Sequence, residues 1–197
     1  MKYQFPKIEN IQQVRDAISA SGLDEFIEKV DPEYHVFNYV MSSAETFPPV
    51  VDETTAILRE CRGLTFYPDG TLASRKFHKF FNLNEKPETT FDVIDFSRPH
   101  VILQKRDGSM ITPFLREDGE IEVHTKMGRT EVAIQVDSFL DKHPEYIEMM
   151  KWCIENNLTP IFEWCSRKNR IVIDHPIDEL VLLAIRENES GEYLPYE

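Results

Sequence analysis

The middle of the chain is divided by Asp-Gly pairs that have short apolar segments on both sides, at residues 69–70, 107–108 and 118–119. Asp-Gly favours tight turns between antiparallel strands, because glycine tolerates the backbone angles that such turns need. "RGLTFY" and "TLASRKF" therefore predict a hairpin around the first pair, and "SMITPFLR" and "EIEVHTK" predict another around the last. "HVILQK" is predicted to be a strand that ends at Lys105, just before the pair at 107–108.

Two regions change from the alternating period of a strand to the 3.6-residue period of a helix. Residues 9–20 predict one helix, which Gly22 can end. Residues 131–157 predict two helices, the second beginning at Pro144, because proline is favoured in the first turn. "YHVFNYVM", "TPIFEW", "NRIVI" and "LVLLAIR" predict further strands. The pattern indicates an α+β fold of mostly antiparallel sheets with flanking helices.

Composition narrows the class of protein. A chain of 197 residues can bury one sizeable core, or one core and a small appendage. The net charge of −13 argues against a nonspecific nucleic-acid coat protein, although it leaves room for a local basic cleft. The apolar runs are too short for a bilayer, and "MKYQFPKIEN" lacks the apolar stretch of a secretory signal. Three cysteines without CxxC spacing predict reduced thiols and a cytoplasmic protein.

Lys105 stands where a lysine could act as a nucleophile. An amine with a pKa near ~10.4 is protonated at neutral pH, but neighbouring cations, a metal or partial burial lower that pKa and free the lone pair. Gly108 lets the backbone pass close to a ligand, and Asp107 could bind a metal or hold the loop. Lys-x-Asp-Gly spacing alone also fits a solvated hairpin lysine, so both interpretations stay open.

Two other segments carry candidate ligand-binding groups. "SRKFHKFFNLNE" (74–85) alternates basic residues with phenylalanines, and such a mixture suits the phosphates and rings of a nucleotide. It equally fits a basic surface strand over core phenylalanines. Glu163 lies between Phe162 and Trp164, where a carboxylate needs a partner if it is buried. The alternation of the strand could instead point Glu163 to solvent.

In their order along the chain, these motifs resemble the nucleotidyltransferase domain of ATP-dependent RNA ligases, of the T-even bacteriophage RNA ligase 1 type that repairs broken tRNA. "KRDGS" is similar to the Lys-x-Asp-Gly motif of that family, and "ECRGLTF" and "HKFFNLNE" are similar to the two segments that precede it. "FEW" with "NRIV", and then "LLAIRENESGEYLPY", are similar to the segments that follow. The resemblance runs from about Tyr34 onwards, which suggests a helical lead-in at 1–33 and an adenylyltransferase domain at 34–197.

The resemblance implies a role for individual residues. Lys105 would attack the α-phosphate of ATP, with Mg²⁺ or Mn²⁺ assisting, and the AMP would pass to the 5′-phosphate of an RNA, in particular a tRNA, before a 3′-hydroxyl seals the strand. Asp107 and Glu163 are implied to be catalytic and to hold the metal, in part through water, and Glu163 would also bind the ribose. The remaining nucleotide contacts are implied to come from Arg62, Lys79, Phe81, Gln104, Gly108, Lys126 and Ile185.

Two further motifs of the family, a Glu-Gly strand and a strand with two lysines, do not occur before Glu197. We therefore expect this chain to be impaired in sealing, with bare sheet edges that favour self-association. A DNA ligase, an mRNA capping enzyme, and a non-catalytic ATP- or RNA-binding remnant of a ligase are the alternatives. No membrane partner is expected.

Overall fold

The computed structural model describes residues 4–43 and 45–196. Within them the chain forms two four-stranded antiparallel sheets. The first has the order β1-β2-β3-β4, with strands at Phe26–Val30, His35–Tyr39, Leu64–Phe66 and Leu72–Ser74. The second has the order β6-β5-β7-β8, where β5 to β8 are Ser109–Leu115, Ile121–His124, Leu158–Cys165 and Glu179–Glu187. The α+β class with antiparallel sheets is confirmed, and so are the two predicted hairpins.

Helices cover one side of each sheet, at Ile11–Ser21 (α1), Glu53–Glu60 (α2), Glu131–Leu140 (α3) and Pro144–Glu155 (α4). Val14 and Leu58 pack with Phe37 in the first core, whereas Val136 and Met150 belong to the second. Helices α1, α3 and α4 were predicted and are confirmed. Helix α2 was not predicted, although its capping box of Asp52 and Thr55 is a legible helix start. Among the described residues, no helix is long and apolar enough to cross a membrane.

Two predicted strands are wrong. The "HVILQK" segment (100–105) and the two residues after it have no regular structure, and Ile102 is 89% exposed. The "NRIVI" segment has a turn at Asn169 and bends at residues 171–173. Both predictions rested on β-branched apolar runs, but a strand also needs a partner for its backbone groups. Among the described residues neither segment pairs with a strand, and the two are joined instead through the side chain of Asp107.

Strand β1 was not predicted, because two charged residues in "FIEKV" blur its alternation. It pairs with β2 in register from Phe26 opposite Tyr39 to Val30 opposite His35. The proposed division after residue 33 therefore falls in the turn of a hairpin, so the preceding segment contributes to the first sheet.

A buried ionic network joins the two sheets. Glu60, at the end of α2, accepts two hydrogen bonds from Arg186 of β8, at 2.7 and 2.8 Å, and a third from Nε of Arg75 at 3.2 Å. The side chains of all three residues are fully buried. Burial by itself raises the pKa of Glu60, but the charges and hydrogen bonds of Arg186 and Arg75 outweigh it and hold that pKa below its usual value.

Lys76 is another buried cation, and it has no carboxylate partner among the described residues. Its ammonium donates to Gly63 O at 2.7 Å, to Thr65 Oγ1 at 2.8 Å and to Ser74 Oγ at 3.0 Å. Three neutral acceptors only partly replace water, so burial lowers the pKa of Lys76 to about 7.

We expect the stability of the protein to rise with pH between about 7 and 10.5 because of Lys76. In that window the unfolded chain holds a proton that the folded chain has released, and raising the pH therefore favours the folded state. Lys76→Met removes this term. In urea titrations, the free energy of unfolding of the wild type relative to that of Lys76→Met should rise with pH across the window. Parallel pH profiles of the two chains would contradict the lowered pKa.

Candidate active site

A cavity of about 1040 Å³ opens between the two sheets. Its walls include Tyr39 of β2 on one side and Met110, Glu163 and Leu183 of β5, β7 and β8 on the other. Ligand pockets for small molecules usually measure roughly 300–1,000 Å³, so this cavity has room for a nucleotide.

Four cationic residues line this cavity: Lys105, Arg62, Lys126 and Arg106, the last of which is paired with Glu179. The guanidinium carbon of Arg62 lies 5.1 Å from the ring centroid of Phe80, and the ammonium of Lys126 lies 5.3 Å from that of Tyr39. Rings at these distances attract a cation without neutralising it. The cavity is therefore a site of positive charge in a chain whose net charge is −13.

Glu163 supplies a carboxylate to the same cavity. It lies in β7, an inner strand of the second sheet, opposite Met110 of β5 and Val181 of β8, and it is half-buried. Burial raises the pKa of Glu163 above its usual value, while the charge of Lys105 and a hydrogen bond from the Gly108 backbone oppose the rise. The structure thus brings Lys105 and Glu163 together, within reach of each other's field.

Gly108 is where the segment carrying Lys105 meets β7. A Cβ at this position would lie 2.1 Å from the carbonyl oxygen of Trp164 and 3.2 Å from Cγ of Glu163. No side chain fits such a gap, so the close approach of the two backbones requires glycine. That approach sets Lys105, three residues earlier, beside Glu163.

Lys79 and Phe81 line a neighbouring cavity of about 660 Å³ rather than the main one. The ammonium of Lys79 lies 4.9 Å from the Phe81 ring centroid and 5.5 Å from that of Tyr39. Tyr39 also lines the main cavity, and the ammonium groups of Lys79 and Lys126 both lie beside its ring. Lys79 therefore lies at the border of the main cavity.

Of the other candidate residues, Gln104 lines the main cavity but Ile185 does not. Ile185 is half-buried in β8 opposite Pro160, and its neighbours Leu183 and Ala184 line the cavity instead.

Asp107 does not line the main cavity, and its carboxylate holds a loop. Its Oδ2 accepts hydrogen bonds from the backbone N–H groups of Val172 at 2.8 Å and Ile173 at 2.7 Å. These bonds, that from Ile173 foremost, lower the pKa of Asp107. Nowhere in residues 4–43 and 45–196 do three or more His, Cys, Asp or Glu side chains gather as metal ligands. A metal-binding role for Asp107 thus stays a prediction.

An aromatic wall of the cavity was missed by the sequence analysis. Phe77 and Tyr193 stack with their ring centroids 5.8 Å apart, and Nδ1 of His78 lies 2.8 Å from the Tyr193 hydroxyl. Burial lowers the pKa of His78 to about 4, so this contact involves a neutral imidazole. The run "GEYLPY", with its tyrosines near a glycine turn, was the available signal.

Comparison with known proteins assigns the chain to a family. A family model described as RNA ligase matches residues 60–197. A protein from Thermovibrio ammonificans, described as "Putative RNA ligase", is 33% identical over 159 residues, or 80% of this chain and 40% of that protein. An archaeal ATP-dependent RNA ligase of known structure overlays with a TM-score of 0.45 and 16% identity, covering 91% of this chain and 44% of that one. The chain therefore spans less than half the length of these two proteins.

Proposed function

Because the chain belongs to the RNA ligase family, we propose that it carries the adenylyl-transfer site of an ATP-dependent RNA ligase, with Lys105 as the nucleophile. The unprotonated amine attacks the α-phosphorus of ATP. A phosphorus–nitrogen bond forms, the bond to the β-phosphate oxygen breaks, and pyrophosphate leaves. The amine proton passes to solvent, and the product is lysyl-AMP.

The observation that carries this proposal is the meeting of Lys105 and Glu163 in one cavity with Arg62 and Lys126. The two other cations would bind phosphate oxygens and stabilise the charge that develops on the leaving pyrophosphate. Lys79, at the border of this cavity, would contact the phosphates farthest from Lys105. Glu163 would accept hydrogen bonds from ribose hydroxyls, and the ring of Tyr193 would offer the base an apolar surface.

A divalent ion fits this site as a partner of the phosphates rather than as a protein-bound metal. Mg²⁺ commonly keeps several waters and takes one or two carboxylates together with substrate phosphates. Glu163 is the carboxylate that lines the main cavity in the described part of the chain, and it would hold the ion directly or through water. When bound, the ion would neutralise phosphate charge as the bond to pyrophosphate breaks.

Strand sealing would follow in two transfers. An oxygen of an RNA 5′-phosphate attacks the phosphorus of lysyl-AMP, which restores the lysine and leaves AMP on the RNA end. A 3′-hydroxyl then attacks that 5′-phosphate and displaces AMP, so the two strands are joined. We propose broken RNA, and in particular tRNA, as the substrate, because of the resemblance to tRNA-repairing ligases.

The test is incubation of the 197-residue chain with α-labelled ATP and Mg²⁺, followed by denaturing electrophoresis. Covalent label on the protein, released by pyrophosphate, is the expected result. A γ-labelled ATP control should leave the protein unlabelled, because the β- and γ-phosphates depart together. Absence of α-label with both Mg²⁺ and Mn²⁺ would count against adenylyl transfer by this chain.

We expect Gly108→Ala to slow self-adenylylation far more than its effect on stability explains. The new methyl group must displace β7 or the segment carrying Lys105, at a cost of about 1–3 kcal/mol. Gly119→Ala is the matched control, since Gly119 has φ +84° but no atom within 4 Å of its Cβ position, and the strain costs about 1–2 kcal/mol. Thermal unfolding should show losses of similar order, while only Gly108→Ala lowers the labelling rate. Equal labelling rates would contradict the positioning role of Gly108.

A further inference from the structure

We infer that the loop of residues 166–175 binds the phosphodiester backbone of the RNA strand that receives AMP from Lys105. The inference rests on the proposed function, because it names the surface that would hold the acceptor strand. It assigns work to the basic residues of this loop, none of which lines the cavity proposed for ATP.

The loop is tied to the segment that carries Lys105. Besides the two bonds from Val172 and Ile173 to the Asp107 carboxylate, Nε2 of His175 donates to the Asp107 carbonyl oxygen at 2.6 Å. Nδ2 of Asn169 donates to Oγ of Ser109 at 2.7 Å. All these contacts fall within four residues of Lys105, so whatever the loop binds is held at a fixed place beside the nucleophile.

The loop is a basic surface on an acidic protein. Arg167, Lys168 and Arg170 are exposed within four consecutive positions. Arg167 pairs with Asp174 at 3.0 Å, but no carboxylate of the described residues forms an ion pair with Lys168 or Arg170. Unpaired, exposed cations are the groups that displace counterions from a nucleic-acid backbone.

Other charges near the loop leave this surface positive. Glu179 pairs with Arg106, and Asp174 with Arg167 as above, so these carboxylates are engaged by cations other than Lys168 and Arg170. The remaining acidic neighbours are Asp178, Glu163 and Asp107, and the Asp107 carboxylate is engaged by the backbone N–H groups of Val172 and Ile173. Ile171 is 60% exposed and also lines the main cavity, so the loop surface continues into the proposed adenylylation site. A strand lying along the loop would thus lead its 5′ end towards Lys105.

The test compares RNA binding by the wild type and by Lys168→Ala/Arg170→Ala. The probe is a 5′-phosphorylated, fluorescently labelled single-stranded RNA, whose affinity is measured by anisotropy at several KCl concentrations. The slope of log K against log salt is negative, and each lost phosphate contact makes it shallower by about 0.7. For the loop variant we expect a weaker affinity and a slope that is shallower by about 1.4, with self-adenylylation by ATP unchanged.

Lys142→Ala/Lys151→Ala is the matched control, because it removes two exposed cations from the region of the helices that cover the second sheet. It should leave both affinity and slope close to wild type. An unchanged slope in the loop variant, no RNA binding by the wild type, or an equal loss in the control would each overturn the inference. Failure of the wild type to become adenylylated would instead defeat the proposed function, while the comparison of slopes would still decide whether the loop binds RNA.

Discussion

Lys105→Arg should lower covalent labelling from α-labelled ATP by roughly 10³-fold or more, the scale of loss when a nucleophile is removed. A guanidinium keeps its proton at every accessible pH and has no lone pair with which to attack phosphorus. The arginine nevertheless preserves a positive charge near Glu163, so the fold and the attraction of the cavity for phosphates should survive. Labelling rates measured on denaturing gels, beside ATP affinities from calorimetry, separate the lost chemistry from lost binding.

Lys168→Arg is the matched control for that experiment, since it makes the same change at an exposed lysine outside the cavity. Its labelling rate should equal that of the wild type. Persistent label on the Lys105→Arg protein, with peptide mapping to another lysine, would remove Lys105 from its proposed role.

Local signals were enough to predict much of the fold. The Asp-Gly turns place β3 against β4 and β5 against β6, because a hairpin is fixed by residues adjacent in sequence. Pro144 is also a local signal, because proline is favoured in the first turn of a helix, and it marks the start of α4. Lys105 and Glu163 could be selected as candidates because each stands in a motif or a strand where its chemistry is unusual.

What depends on distant partners could not be predicted in this way. "HVILQK" and "NRIVI" have the composition of strands but lack strand partners in the structure, so composition alone misled. Lys79 and Phe81 lie within "HKFFNLNE", yet they line a neighbouring cavity, and Lys79 meets the border of the main one at Tyr39, a residue from an earlier hairpin. Tyr193 reaches the cavity wall because the chain turns back at Gly191 after the edge strand β8, which brings Tyr193 opposite Arg186.

We expect Glu60→Gln to destabilise the protein by about 3–5 kcal/mol, the usual effect of removing one partner from a buried ion pair. Glutamine keeps the shape of the side chain but removes the charge that balances two fully buried guanidiniums. Such a loss is a large share of a typical total stability of roughly 5–15 kcal/mol. Urea titrations of the two chains at neutral pH measure it.

Glu28→Gln is the control for Glu60→Gln, because Glu28 also accepts hydrogen bonds from two partners, Arg15 and His35, but lies where solvent reaches the pair. Its effect should stay near or below about 1 kcal/mol. Acid provides a second test of Glu60. The folded pKa of Glu60 is lowered, so its contribution is present above the unfolded pKa and is lost as the pH falls through the folded pKa. The wild-type advantage over Glu60→Gln should therefore shrink on acidification.

The same substitution should also disturb the cavity, because the Arg186 guanidinium carbon lies 5.0 Å from the ring centroid of Tyr193. Without the charge of Glu60, Arg186 keeps its hydrogen bonds to the carbonyl oxygens of Gly191 and Lys76 but loses its ion pair, so the wall formed by Tyr193 and Phe77 should loosen. We expect the apparent KM for ATP in the self-adenylylation assay to be higher for Glu60→Gln than for the wild type, at temperatures where both chains remain folded. An unaltered KM together with a stability loss below about 1 kcal/mol would show that the network is a minor contributor to both fold and site.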